Sequence, residues 1–261
     1  MRFKNDIVVV TGGGSGIGEA SARAFASEGA RVAVADRDIA NARRVTSELA
    51  SAGLDAIAVP IDVAEEKSID GACSEVESRF GGSISVLVNS AGLMGLAPIT
   101  DYSLGDWERI IAVNVTGTFL CAKRVAPGMQ KARYGRIVNL ASISAVRAGI
   151  GRAAYGTSKA AVAGLTRQLA MELGSFGITA NAVAPGPVMT AMTRENYQPN
   201  TVAAYTNMIP ARRFGTPEEM AHAVLFLSSR EAGFVNGILL PVDGGYLAGG
   251  VATTGTMSSD T

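Results

Sequence analysis

Short apolar runs alternate with long amphipathic stretches from end to end of this 261-residue chain. Ile7–Val10, Arg31–Ala35, Ala56–Pro60, Val86–Asn89, Ile137–Ala141, Thr179–Ala184 and Ile238–Val242 are short and bounded by turn residues, and they read as buried strands. Between them lie helical patterns at Gly16–Glu28, Ile39–Ser51, Glu65–Phe80, Leu104–Gln130, Ala153–Phe176 and Thr216–Ser228. The last opens as Thr216-Pro217-Glu218-Glu219, a cap, a first-turn proline and acids at the positive end of the helix dipole. Alternation this strict predicts an α/β fold, a parallel sheet covered by helices on both faces. With no internal repeat and no Pro-, Ser- or charge-rich linker, one domain over residues 1–248 is the economical division. The small, polar tail 249–261 is expected to be poorly ordered.

Composition removes several function classes. Hydrophobic residues make up 48% of the chain and aromatics only 6%, so the core is expected to be aliphatic. Lys plus Arg is 23 and Asp plus Glu is 23. This neutral balance lacks the basic footprint of a nucleic-acid binder. Two distant cysteines, Cys73 and Cys121, and a single histidine, His222, cannot assemble the usual zinc site, and no metal is expected. The histidine reads as a helix-face residue. The residues before Ile7 run straight into a strand without a signal-peptide pattern. The uncharged stretch Gly174–Thr193 is broken by Asn181, Pro185, Gly186 and Pro187, which argues against a membrane span. A cytoplasmic protein is the expectation.

Strand Ile7–Val10 feeds directly into Thr11-Gly12-Gly13-Gly14-Ser15-Gly16-Ile17-Gly18 and then a helix. Glycines let the backbone turn tightly and approach a pyrophosphate, while the open N–H groups of the helix start face the anion. A plain strand-to-helix turn also uses glycine, but here Asp36 ends the next strand, roughly 20 residues on, where a carboxylate accepts the ribose hydroxyls of an adenosine. That carboxylate repels a 2′-phosphate, favouring NAD over NADP, while Arg37 beside it pulls the other way.

Tyr155-Gly156-Thr157-Ser158-Lys159 places a phenol and an ammonium one helical turn apart on the same face. Ser142 stands at the end of the strand preceding that helix. A free phenol, with a pKa near ~10, is a poor base at neutral pH. A neighbouring Lys⁺ and a cationic nicotinamide both favour phenolate.

With these residues in order, together with Asp62, Asn89-Ser90-Ala91-Gly92, Asn114 and Pro185-Gly186, the chain resembles the short-chain dehydrogenase/reductase family from about Asp6 to Gly245. The resemblance implies a Rossmann-type, doubly wound, seven-stranded parallel sheet, NAD(P) as cofactor and usually a homotetramer. It implies that Tyr155 moves the proton, Lys159 holds the nicotinamide ribose, Ser142 bonds the substrate oxygen and Asn114 anchors a relay water. For the cofactor it implies Gly12, Ser15, Gly16, Ile17, Gly18, Asp36, Arg37, Asp62, Val63, Asn89, Ala91 and Gly92. Tyr155, Lys159, Pro185, Gly186, Val188 and Thr190 complete that set. Ser90 replaces the family's usual second asparagine, and Ala141 precedes Ser142, both read as packing variants.

The substrate is less legible. An NAD-linked dehydrogenase of secondary alcohols, ring diols or sugars competes with an NADPH-linked 3-oxoacyl-[acyl-carrier-protein] reductase. Arg212-Arg213-Phe214-Gly215-Thr216-Pro217-Glu218-Glu219 resembles the latter branch, whereas Asp36, and Phe176 where that branch tends to carry arginine, oppose it. A dinucleotide-binding regulator without turnover is disfavoured by the intact catalytic set. The long stretch from Pro185 to Gly215, with an insertion at about 187–215, reads as a lid. Ser144, Arg152, Met192 and Tyr197 are the candidates for touching substrate. Arg147, Arg152 and Arg194 suggest a clamp for an anionic group, set against solvated surface arginines and an apolar pocket signalled by Met189, Met192, Tyr197 and Met208.

Overall fold

The computed structural model describes residues 1–190, 193–194 and 197–249; Met192 and residues 250–261 of the tail lie outside it. β1 (Ile7–Thr11), β2 (Arg31–Asp36), β3 (Ala56–Pro60), β4 (Val86–Asn89), β5 (Gly135–Leu140), β6 (Ile178–Pro185) and β7 (Leu239–Val242) form one sheet. All neighbouring pairs are parallel, in the order β3-β2-β1-β4-β5-β6-β7. The chain winds outward from β1 to β3, then returns to lay β4 on the other side of β1. The two windings diverge at the β1/β4 boundary, and a crevice opens there beyond the strand C-termini.

Helices α1 (Gly16–Ser27), α2 (Ile39–Ser51), α3 (Glu66–Phe80), α4 (Leu104–Ile111), α5 (Gly117–Ala132) and α6 (Ala153–Leu173) make the crossovers, followed by α7 (Pro199–Met208) and α8 (Pro217–Ser228). Strand side chains alternate between faces. Val8, Val10, Val32, Val34, Val86 and Val88 pack with Phe25 of α1, Val45 and Leu49 of α2, and Val224 of α8. Ile7, Val9, Ala33, Ala35 and Leu87 go the other way, onto Ile69 and Val76 of α3, Val125 and Met129 of α5, and Leu173 of α6. Each buried Val, Leu or Ile contributes roughly 1.5–3 kcal/mol. The small side chains let helices sit close to the sheet, as the low aromatic content requires.

Two elements differ from the sequence expectation. The single helix Leu104–Gln130 is interrupted by a π-turn at Ala112–Thr116 that carries buried Asn114. Just beyond it Gly117 lies so close to Val63 that a Cβ would stand 2.8 Å from the Val63 carbonyl oxygen. The stretch from Pro185 to Gly215 contains α7, which no periodicity announces because none of its residues is fully buried. The last helix starts as the sequence indicates. The Thr216 hydroxyl accepts from the Glu219 amide, and the Glu219 carboxylate accepts from the Thr216 amide. His222 is exposed on that helix.

The tightest point in the fold is the first turn of α1. A Cβ at Gly18 would lie 2.1 Å from the Gly12 carbonyl oxygen and 2.8 Å from its carbon. Both are backbone atoms that cannot rotate away. Gly18→Ala is therefore expected to destabilise the protein by about 2 kcal/mol or more. Urea unfolding with an unchanged m-value checks this, and wild-type stability in the variant would contradict the packing.

Candidate active site

The crevice at the β1/β4 switch point is a cavity of about 340 Å³ that runs between Asp36 and Arg37 at one end and Tyr197 and Tyr205 at the other. Gly12, Ser15, Gly16 and Ile17 form its floor near Asp36. Gly12 adopts φ +64°, and a Cβ there would stand 2.9 Å from the Ala91 backbone, so only glycine lets the β1 and β4 exits approach this closely. The Thr11 hydroxyl ties the same exits together by accepting from the Ser90 and Ala91 amides at 3.1 and 3.2 Å. Ser15, the N-cap of α1, makes no side-chain cap bond. The first-turn amides of α1 are left for an anion. The Asp36 carboxylate is oriented by the amides of Gly14 and Asp38, both at 2.9 Å. A glycine-rich backbone cradle, an uncapped helix start and a fixed carboxylate fit a dinucleotide, with α1 suited to hold the pyrophosphate and Asp36 the adenosine ribose.

Further along the wall, Asp62, Val63, Ala91, Gly92, Pro185, Gly186, Val188 and Thr190 all line the cavity. Gly18 and Asn89 do not. Gly18 is buried in the turn beneath. Asn89 faces inward, donating to the Asn139 amide oxygen at 2.9 Å, while Asn139 donates to Thr166 of α6 at 2.9 Å. Their placement supports the wall rather than forming it. Ile61, Ser90, Leu93, Met94 and Tyr205 line the cavity as well, although no motif marks them as contacts. Only their positions next to motif residues, or in the long 187–215 stretch, hint at this.

Ser142, Tyr155 and Lys159 converge where β5 ends and α6 begins. The Ser142 oxygen accepts from the Ser144 amide at 3.0 Å, which leaves its own proton to donate. Burial pushes the Tyr155 phenol up, opposed by the Ser142 hydroxyl and the charge of Arg152. Burial also pushes Lys159 down, to about 8. The lysine Nζ donates to the Leu140 carbonyl at 2.7 Å and stands 5.8 Å from the Tyr155 ring centroid. In this arrangement burial outweighs the lowering of the phenol by Ser142 and Arg152. The Asn114 side chain is fully engaged within the protein. Its side chain accepts from the Leu93 amide at 2.7 Å and donates to the Leu93 carbonyl and to Ser158, both at 2.9 Å. Its side chain thus clamps the β4 exit to α6, and only its backbone carbonyl remains to meet a water beside the Thr118 hydroxyl.

At the far end, Arg152 and Tyr197 line the cavity, and Ser144 sits behind Arg152 and accepts from it at 3.2 Å. Arg152 also donates to the Tyr197 hydroxyl, and its guanidinium lies 5.6 and 5.8 Å from the centroids of Tyr197 and Tyr205, rings that stack on one another. The three-arginine clamp is not assembled. Arg147 stacks on Tyr246 at 5.5 Å, and neither it nor Arg194 lines the cavity. Among the described residues no cluster of His, Cys, Asp or Glu is placed to hold a metal, and no helix is long and apolar enough to cross a membrane.

The Lys159 setting has a measurable consequence. Its folded pKa, about 8, lies below the ordinary lysine value, so the unfolded chain binds more protons between about pH 8 and 10.5 and native stability rises with pH through that window. At neutral pH the buried ammonium costs stability, and its bond to Leu140 offsets part of the cost. Lys159→Met is expected to raise stability at pH 7 by about 1–3 kcal/mol, with the gain shrinking from pH 8 upward. Denaturation of both proteins at pH 7 and pH 10 checks it; a variant less stable than wild type at pH 7 would contradict it.

Comparison with known proteins agrees with this geometry. Residues 12–247 match the family described as Enoyl-(Acyl carrier protein) reductase. The chain is 40% identical to 2-(S)-hydroxypropyl-CoM dehydrogenase 3 of Xanthobacter autotrophicus, covering 95% of this chain and 98% of that protein. It is 38% identical to D-threitol dehydrogenase of Mycolicibacterium smegmatis over 94% of each. Among solved structures, gluconate 5-dehydrogenase from Burkholderia cenocepacia J2315 in complex with NADP and tartrate superposes with a TM-score of 0.91 at 33% identity. That match covers 95% of this chain and 98% of the other. The chain belongs to the short-chain dehydrogenase/reductase family and is an NAD(P)-dependent oxidoreductase acting on CH–OH and C=O groups.

Proposed function

We propose that this enzyme interconverts a secondary alcohol and its ketone and uses NAD in preference to NADP. The carrying observation is the Asp36 carboxylate, fixed by two backbone amides at the adenosine end of the cavity. It accepts ribose hydroxyls and repels a 2′-phosphate. When bound, the nicotinamide supplies the hydride acceptor or donor. The chain's own residues handle the proton. Ser142 donates a hydrogen bond to the substrate oxygen, and Tyr155 removes the hydroxyl proton in oxidation or returns it in reduction. Lys159 turns from Leu140 to hold ribose hydroxyls, and its charge then favours the phenolate. Segment 187–215 covers the substrate end as a lid, with Thr190 on the cofactor side and Tyr197 on the substrate side.

The acyl-carrier reading is weakened by the segment that suggested it. Arg213 is engaged by Glu219 at 2.9 and 2.5 Å, and Arg212 donates to the Asn207 carbonyl at 2.7 Å. Both serve local structure and leave less basic surface for an acidic carrier. A panel of secondary alcohols, ketones and a 3-oxoacyl thioester, each with NAD(H) and NADP(H), tests the reading. Expected are alcohol turnover favouring NAD, a narrowed NAD/NADP ratio in Asp36→Ala, and a loss of about 10²–10⁴ in kcat in Tyr155→Phe. Equal kcat/KM for the two cofactors would mean that Arg37 outweighs Asp36.

We also propose a homotetramer built on α4–α5 and α6. Leu104, Phe119 and Met171 stand exposed on these helices at 71%, 46% and 82%, apolar surface that a partner subunit would cover. Light scattering at micromolar concentration is expected to give an assembly, and a stable monomer would end the idea.

A further inference from the structure

The two ends of the cavity differ in charge. Asp36 and Asp62 line the adenosine end. At the other end, among the described residues, the lining is Arg152 with Tyr197, Tyr205, Leu93, Met94 and Ile143, and no carboxylate. Arg152 is only partly exposed and forms no salt bridge among the described residues, although Arg23, Arg44, Arg124 and Arg213 elsewhere each have an acidic partner. Its described hydrogen-bond partners, the hydroxyls of Ser144 and Tyr197, are neutral, so a bound anion would supply it with a charge-assisted partner.

The surroundings hold this guanidinium still. Arg152 is the N-cap residue of α6, its Nη1 donates to Ser144, its Nη2 donates to Tyr197, and Tyr197 and Tyr205 flank it. Ser144 in turn orients the Ser142 hydroxyl through its amide. The cation is therefore positioned by the same short turn that positions the proton-donating serine. Its remaining N–H donors are left for a ligand, and a guanidinium edge suits the two oxygens of a carboxylate, phosphate or sulfonate. We infer that the substrate is an anionic hydroxy compound whose carboxylate, phosphate or sulfonate binds Arg152 while its carbinol oxygen lies between Ser142 and Tyr155. The inference rests on the reading of this end as the substrate end.

An anion at Arg152 also has a chemical effect. The guanidinium charge favours the Tyr155 phenolate, and a bound carboxylate offsets that charge. Anionic substrates are thus oxidised with a more basic phenol and a higher pH dependence than neutral ones.

The test uses matched probes, 3-hydroxybutyrate against its methyl ester, with NAD and NADP. They are assayed on the wild type, Arg152→Ala, Arg152→Lys and Tyr197→Phe. A parallel arm measures thermal stabilisation by butyrate and propane-1-sulfonate against 1-butanol. The charged-to-neutral ratio of kcat/KM is expected to be at least tenfold in the wild type, to fall to near one in Arg152→Ala and to recover in part in Arg152→Lys. Tyr197→Phe removes a hydroxyl that holds the arginine but keeps the cation, so the ratio is expected to persist there even where both rates fall. If neither probe is turned over, the binding arm decides. Stabilisation by the two anions in wild type but not in Arg152→Ala supports the inference, and equal responses overturn it. A charged-to-neutral ratio that is the same in wild type and Arg152→Ala overturns it as well. Anion binding at Arg152 without turnover of any alcohol in the wider panel would instead count against the dehydrogenase reading, so the two failures are separable.

Discussion

The approach of Gly18 to the Gly12 carbonyl, too close for a methyl group, sets the position of nearly everything that follows it in space. It presses the start of α1 against the exit of β1. Gly12, forced into a left-handed turn, lies against Ala91, and Thr11 binds the same β4 exit through its hydroxyl. The β4 exit continues to Leu93, which Asn114 grips by both amide and carbonyl. Asn114 also holds Ser158, and Ser158 lies between Tyr155 and Lys159 on α6. A continuous line of short contacts therefore runs from the glycine turn to Tyr155 and Lys159. The distance between the two halves of the site is set by hydrogen bonds and by missing side chains, not by a flexible loop.

The residues along that line divide into those whose role is legible in the amino-acid sequence and those whose role is not. Strand and helix order is readable because a parallel sheet buried on both faces demands apolar runs, and β1 through β4 have few polar residues to confuse the pattern. The glycine turn, Asp36, Tyr155 and Lys159 are readable because their chemistry depends on local spacing. Asn89, Asn114 and Ser144 are different. Their spacing suggests contacts with ligands, yet their side chains face Asn139, Leu93 and Arg152, partners at long range or across a turn that spacing does not encode. The π-turn at Ala112–Thr116 is hidden for a related reason. It lies next to the close packing of Gly117 on Val63, a tertiary contact, while the surrounding sequence reads as uninterrupted helix. Helix α7 has no signature of its own because its partly buried face, Thr201, Val202, Tyr205 and Thr206, is half polar and leaves no apolar stripe.

The Tyr155–Lys159 pair illustrates a conflict between stability and the proposed function. Tyr155 and Lys159 sit where burial disfavours both the phenolate and the ammonium. In isolation that environment works against a tyrosine base. It makes the site responsive, because any positive charge entering the cavity acts through little water and is felt strongly by the phenol. Arg152 is a cation of this kind that the chain itself contributes, and it already opposes the effect of burial on Tyr155. The dry setting thus ties the basicity of Tyr155 to what occupies the cavity.

The two cavity ends also impose a direction on whatever binds. A molecule with an adenosine at one end meets Asp36 and Asp62, which accept hydroxyl and amino hydrogens and repel phosphate. In the proposed reading its pyrophosphate falls on the open amides of α1, between those acids and Tyr155. An anion entering from the other side is turned away from the acids and toward Arg152. An anion held at the Asp36–Asp62 end would instead face like charges in a partly dehydrated space, where the cost is larger than at a surface. In the proposed reading cofactor and substrate meet end to end at Ser142 and Tyr155, whose hydroxyls line the cavity between the two ends.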